Sequence, residues 1–285
     1  MSWSRRLAWV LLLAPFCASS AVAAKGDYIL GGGVSVDEDD GVAAIIVADF
    51  GVADQTWLST SLGRSSVELP RGQDLETWYG EISIDHYWGP AGVRFGVAYW
   101  GDSDILDSTD WLAAIYTRGD KGRISVDVEY RDLELQLPPI DLLVRREIPF
   151  HATGLGLSGG FRVSDRTSLR FAGMSYEYNV EFRSVDSQRF INLLLSSSRL
   201  SLLTNLIDWR ASAGIALEVG SSSWQLDFAK WRGAIDRSEN HSITLSFLTP
   251  MTNKSDIEFS LGHDNSDLYG DVLVLSVFVY FYGGD

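Results

Sequence analysis

The sequence predicts an all-β chain: a single closed, antiparallel, up-and-down transmembrane β-barrel of about fourteen strands, with twelve as the alternative count. Three observations carry that prediction. Beyond residue 27, apolar and polar residues alternate with period two over most of the chain. The links between alternating segments are long and short by turns. After an apparent export signal, no window offers the roughly 18 uninterrupted apolar residues of a spanning helix.

Residues 1–24 read as a bacterial signal peptide, and 25–285 as the barrel domain. Arg5 and Arg6 form the charged start, Leu7 to Phe16 the apolar run, and Ala21-Val22-Ala23 or Val22-Ala23-Ala24 the small-residue cleavage site. The apolar run is too short for a spanning helix, which needs about 20 residues. Cys17, the one cysteine, lies inside this segment, and Ala14-Pro15-Phe16 before it match a lipoprotein box poorly. A small disulfide scaffold is therefore excluded. The formal net charge of −15 also excludes a nucleic-acid partner, because binding phosphates requires a basic stripe. With 46% apolar residues the chain is too hydrophobic for disorder.

The strands follow in order. Segments 28–37, 42–51 and 56–66 come first; then 78–85 sets Trp78, Gly80, Ile82 and Ile84 against Tyr79, Glu81, Ser83 and Asp85. In 93–100, Val93, Phe95, Val97 and Tyr99 oppose Arg94, Gly96, Ala98 and Trp100. After 111–118, residues 123–131 put Ile124, Val126, Val128 and Tyr130 opposite Arg123, Ser125, Asp127, Glu129 and Arg131. Segments 150–163 and 168–181 are next, the latter with an apparent register slip near Ala172 and Gly173, as at a bulge. Residues 209–219 set Trp209, Ala211, Ala213, Ile215 and Leu217 against Arg210, Ser212, Gly214, Ala216 and Glu218. Segments 224–229, 241–249 and 256–261 alternate likewise. The last, 271–282, is apolar on both faces and cannot be oriented by periodicity.

Alternation alone fits a soluble β-sandwich too. Aromatic placement favours the membrane: Trp57, Trp78, Trp111, Trp209 and Trp224 begin or nearly begin strands, while Tyr99, Tyr130 and Tyr178 sit toward strand ends, where interfacial girdles lie. In that arrangement the apolar faces meet lipid and the charged faces line a lumen.

In size, strand number and pattern over about 28–282, the chain resembles the Gram-negative outer-membrane β-barrel class, in particular the small monomeric fourteen-stranded porins. The resemblance implies residence in the bacterial outer membrane. Such barrels commonly finish on a terminal aromatic residue read by the insertion machinery, whereas Phe281-Tyr282 are followed here by Gly283-Gly284-Asp285, so that signal is displaced or absent.

The expected lumen-lining set is Glu81, Asp85, Arg94, Arg123, Asp127, Glu129, Arg131, Arg162, Glu177, Arg210, Glu218, Asp227, Asp256 and Glu258. Carboxylates outnumber arginines, and crowding them inside a low-dielectric wall favours cations in a water-filled passage. The other reading is a lumen filled by arginine–carboxylate pairs that conducts nothing. Acids cluster in the long links, at Asp37 to Asp40 and at Asp102, Asp104, Asp107 and Asp110; solvated loops account for them as well as divalent-ion sites do. His263 is followed by Asp264 and Ser266, but a catalytic triad is defined in space, and no hydrolase motif is present. No catalytic residue, metal site or cofactor is expected. Segment 186–207, rich in Leu and Ser with no Gly or Pro, allows an amphipathic helix at the mouth or along the rim.

The leading expectation is a passive, mildly cation-favouring channel for small solutes. Its partners are outer-membrane lipid and lipopolysaccharide, the barrel-insertion machinery and the solutes themselves. Two other classes remain: a surface-facing barrel hydrolase using His151 or His263, and a non-conducting scaffold or adhesin with acidic cation-binding loops.

Overall fold

The computed structural model describes residues 25–38, 41–69, 73–102, 106–137, 146–179, 206–234, 237–267 and 270–284. The expected signal peptide, and all of the expected helical segment except its last two residues, lie outside these; Ile207 opens a strand. The described residues form fourteen strands: β1 Tyr28–Asp37, β2 Val42–Ala53, β3 Thr56–Leu69, β4 Gln73–Trp88, β5 Ala91–Asp102, β6 Leu106–Gly119, β7 Gly122–Leu137, β8 Arg146–Ser164, β9 Thr167–Tyr178, β10 Ile207–Val219, β11 Ser222–Gly233, β12 Glu239–Thr252, β13 Ser255–Ser266 and β14 Gly270–Gly283. Each pairs antiparallel with its chain neighbours, and β1 pairs with β14, closing the barrel. Closure leaves no strand edge with unpaired backbone groups.

At one end, consecutive strands are joined by two-residue turns, such as 54–55, 89–90 and 220–221. Gly89 (φ +61°) and Gly220 (φ +67°) adopt the left-handed conformation these tight reversals demand, and Gln55 (φ 66°) does so without a glycine's freedom. All the longer links, including 138–145 and 179–206, lie at the other end.

The two faces of the wall differ as alternation requires. Ile46, Phe95, Ile115 and Leu155 point outward and are 61%, 55%, 68% and 65% exposed. Apolar exposure this continuous is stable against hydrocarbon but not against water. Trp88, Trp224 and Phe281 ring this band toward the tight turns; Trp78, Tyr99, Trp111 and Tyr130 ring it toward the long links. Beyond the second ring the outer face turns polar. Arg64 pairs with Glu76, Lys230 with Glu239 at 2.7 Å, and Arg232 with Asp208 at 2.8 Å. The hydrogen bond and charge of Lys230 hold the Glu239 carboxyl below its usual range.

Three expectations change. The register through Ala172 and Gly173 is unbroken on both sides of β9; the irregularity lies at its start, opposite Arg162 and Ser164. The apparent slip came from apolar Ala172 and Met174, which face inward. Trp57 and Tyr178 are not girdle residues: Trp57 packs inside against Tyr87 and Tyr116, and the Tyr178 hydroxyl donates to the Ile207 carbonyl at 3.0 Å. The orientation of β14, ambiguous in the sequence, is set by its neighbour. Phe278 and Tyr280 face inward and lie over Gly33 and Gly31 of β1, where an added Cβ would come within 2.5 Å and 3.0 Å of their rings.

Candidate functional site

The inner wall gathers most of the ion pairs of the strands among the described residues, and it divides into two sectors of unlike chemistry. On β4 to β11, arginines are interleaved with carboxylates and tyrosines. Toward the long-link end, Glu129 sits between Arg131 (2.5 Å) and Arg210 (3.2 Å) and accepts the Tyr176 hydroxyl at 3.0 Å. Arg131 lies 3.7 Å from Asp110, which accepts the Trp100 indole N–H at 2.8 Å, and its guanidinium stands 4.4 Å from the Tyr176 ring centre. The side chains of Glu129 and Arg131 are 4% and 6% exposed.

Toward the tight turns, Asp85 bridges Arg94 (3.2 Å) and Arg123 (3.6 Å) and accepts the Tyr116 hydroxyl. The Arg123 guanidinium lies 3.5 Å from the Tyr116 ring centre. Asp127 accepts hydroxyls from Ser125 (2.8 Å) and Ser158 (2.7 Å). Arg170 donates to Asp227 at 2.8 Å, with Gln225 donating to the same carboxylate. Strand register builds these groups directly: Asp85 is opposite Arg94 and Asp110 opposite Arg131. Glycines face the bulkiest members. Gly154 lies under the Tyr176 ring and Gly214 under Asp227 and Arg170.

The second sector is the inner face of β12, β13 and β14 continued through β1, β2 and β3. It carries Asp256, Glu258, Asp264, Asp37 and Asp49, and among the described residues no Lys, Arg or His points inward from these strands. Glu258 accepts hydroxyls from Tyr280 (3.2 Å) and Ser260 (3.1 Å), and Asp256 accepts the Tyr282 hydroxyl at 3.1 Å. Mid-strand this wall is short at Gly31, Gly33, Ser35, Ser61, Gly63, Thr244, Ser246 and Gly262, and its larger inward members include Ile45, Val47, Trp57, Phe278, Tyr280 and Tyr282.

Of the lumen set read from sequence, Glu81, Asp85, Arg94, Arg123, Asp127, Glu129, Arg131, Arg210, Asp227, Asp256 and Glu258 face inward. Arg162 and Glu218 share the inward parity but are exposed at the tight-turn rim. Glu177 does not belong: it is exposed on the outer face, opposite Thr153, because β9 keeps its register where a slip was expected. Sequence reasoning missed Arg170, for the same reason, and Asp110, which sat in an apparent loop. It also missed the inward hydroxyls of Tyr116, Tyr176, Tyr280 and Tyr282, and read Tyr178 as a girdle residue.

The hydrolase materials do not converge. His263 faces outward, 4.0 Å from Asp271, while Asp264 and Ser266 face inward across the wall. His151 also faces outward, stacked on Tyr130 at 5.7 Å. Among the described residues no group of three or more His, Cys, Asp or Glu is placed to hold a metal ion.

No family model and no curated protein matches the chain. Its fold does match solved structures. A loop L8 deletion mutant of OmpT, an outer membrane protein of Vibrio cholerae, aligns over 90% of this chain and 98% of its own at 8% identity, with a TM-score of 0.51. The in-vitro folded trimer form of OmpT gives 7% identity, the same coverage and a TM-score of 0.51. OmpT expressed in the outer membrane gives 7% identity over 90% and 97% of the two chains, with a TM-score of 0.50. At such identities the likeness is one of fold: the chain has the closed β-barrel fold of these outer membrane proteins.

Proposed function

We propose that the chain is a passive outer-membrane channel for small solutes with a mild preference for cations. The observation that supports the preference is the charge division of the inner wall. Every inward arginine named in the ion pairs of β5 to β10 stands beside a carboxylate, whereas the β12–β3 wall bears acids and no described cation. Paired charges largely cancel in the lumen. Carboxylates such as Glu258 and Asp256, which accept hydroxyls rather than guanidiniums, leave a negative potential, concentrated by the low-dielectric wall, that raises the local cation concentration. A fourteen-strand barrel lies between eight-stranded barrels, which side chains fill, and 16- to 18-stranded porins, which hold water. The apolar outer band and its aromatic rings support residence in a bilayer, the tight turns facing the periplasm and the polar ring facing the outer leaflet.

The mechanism needs no chemical turnover. Solutes diffuse through water, and the fixed charges bias which ions enter. Purified protein in a planar bilayer under a KCl gradient is expected to give discrete current steps with a cation-selective reversal potential. Glu258→Gln combined with Asp256→Asn should move that potential toward zero without closing the channel. Silence in the bilayer, or anion selectivity of the unaltered protein, overturns the proposal.

A further inference from the structure

The same inner wall carries a second, geometric message about where a solute travels, which rests on the channel reading and deepens it. Among the described residues, inward arginines are confined to one side. On β4 to β11 the inward positions hold Arg94, Arg123, Arg131, Arg170 and Arg210 with Trp100, Tyr116 and Tyr176, and their ion pairs and ring contacts tie them to one another across neighbouring strands. Reach is therefore spent on filling space between strands β4 and β11, and these groups are satisfied without any solute.

The facing wall is built to the opposite plan. Glycine, serine and threonine dominate mid-strand, and two of the three inward aromatics of β14, Phe278 and Tyr280, lie in the space that Gly33 and Gly31 leave open, while Tyr282 and Trp57 sit toward the tight-turn end. Aromatics that lie along a wall project little from it. Hydroxyl groups such as those of Ser35, Ser61, Thr244 and Ser260 offer a hydrated surface, with Glu258 and Asp256 below them toward the tight turns.

We propose that the water-filled path is off-axis, running along the β12–β14 and β1–β3 wall, and that it suits small hydrogen-bonding cations, inorganic or ammonium-bearing. The arginine-rich side is lining. Glu258 and Asp256 are then specificity-determining residues, whereas the equally acidic Asp85, Glu129 and Asp227 are spectators to permeation because their charge is already matched.

Single cysteines test the path directly, in a Cys17→Ser background that removes the one native thiol. Ser35→Cys and Ser260→Cys place thiols at one level on the proposed path, both flanking Ser276; Ala114→Cys and Ala172→Cys place one mid-strand on the opposite wall. Two readouts are taken on the folded, membrane-inserted protein. The first is the rate at which a bulky, uncharged thiol reagent labels each cysteine, followed by mass; the second is single-channel current after labelling. Labelling about tenfold faster at 35 and 260 than at 114 and 172, with current falling about twofold or more only for the first pair, is the expected result. Equal labelling of both walls, or faster labelling at 114 and 172, overturns the off-axis path even if the channel conducts. Preferential labelling at 35 and 260 in a protein that carries no current keeps the path and sinks the channel reading instead.

Discussion

Single residues decide whether the paired sector holds, and Glu129 is its keystone. Its carboxylate neutralises two guanidiniums and accepts a phenol, all in a wall where its side chain is 4% exposed. Glu129→Gln keeps the shape but leaves Arg131 and Arg210 with one compensating acid fewer, and removing one partner of a buried pair costs about 3–5 kcal/mol. By contrast, Arg64 and Glu76 pair on the outer face with side chains 49% and 45% exposed, so Glu76→Gln should change stability by less than about 1 kcal/mol. Urea titration of protein folded into vesicles compares the two; equal midpoints would show that the Glu129 cluster holds nothing together. At this scale the sequence was read correctly wherever a charge lay in a clean alternating run. Arg170 was hidden because its inward neighbours Ala172 and Met174 are apolar, so charge did not mark the face. Asp110 was hidden because it follows Asp102, Asp104 and Asp107, which together read as a solvated loop.

At the scale of the strand, the bilayer rather than the core selects the outer residues. Ile115 points outward from the middle of β6, 68% exposed, between inward Ala114 and Tyr116. Ile115→Arg puts a cation against hydrocarbon near the midplane, at a cost of about 2–4 kcal/mol, and should lower the folded fraction recovered in vesicles. Thr109→Arg, on the same outward face of β6 but two residues beyond Trp111 toward the long links, should be nearly neutral. If both variants fold alike, the outer face does not meet lipid. The same boundary explains what the alternation concealed. Strands β3, β4, β6, β7 and β8 continue well past their sequence-read ends, into segments such as 132–137 and 146–149. There the outer side chains are Asp132, Glu134 and Gln136, polar because they have left the membrane, so the period-two contrast fades while the backbone pairing persists. The last strand shows the converse failure: with both faces apolar, only the glycines of β1 determine which side carries Phe278 and Tyr280 inward.

For the whole molecule, closure through the β1–β14 seam turns fourteen strands, paired only as marginal hairpins, into one cooperative body, since no edge remains from which detergent can peel a strand. The unheated protein in dodecyl sulfate should therefore run ahead of the boiled protein on a gel; identical mobility would argue against a closed ring. Closure also fixes how selectivity responds to salt. The proposed cation preference arises from the potential of carboxylates on one wall, not from stripping water off the ion, and such a potential is screened over about 10 Å at 0.1 M salt but about 3 Å at 1 M. Ions travelling beside Glu258 and Asp256 would feel them at the lower concentration and scarcely at the higher. The ratio of cation to anion permeability is accordingly expected to fall toward one between 0.1 and 1 M KCl, while conductance keeps rising. A ratio that stays constant across that range would require a dehydrating constriction, which a wall of glycines and serines does not supply, and would place selectivity somewhere other than the acidic sector.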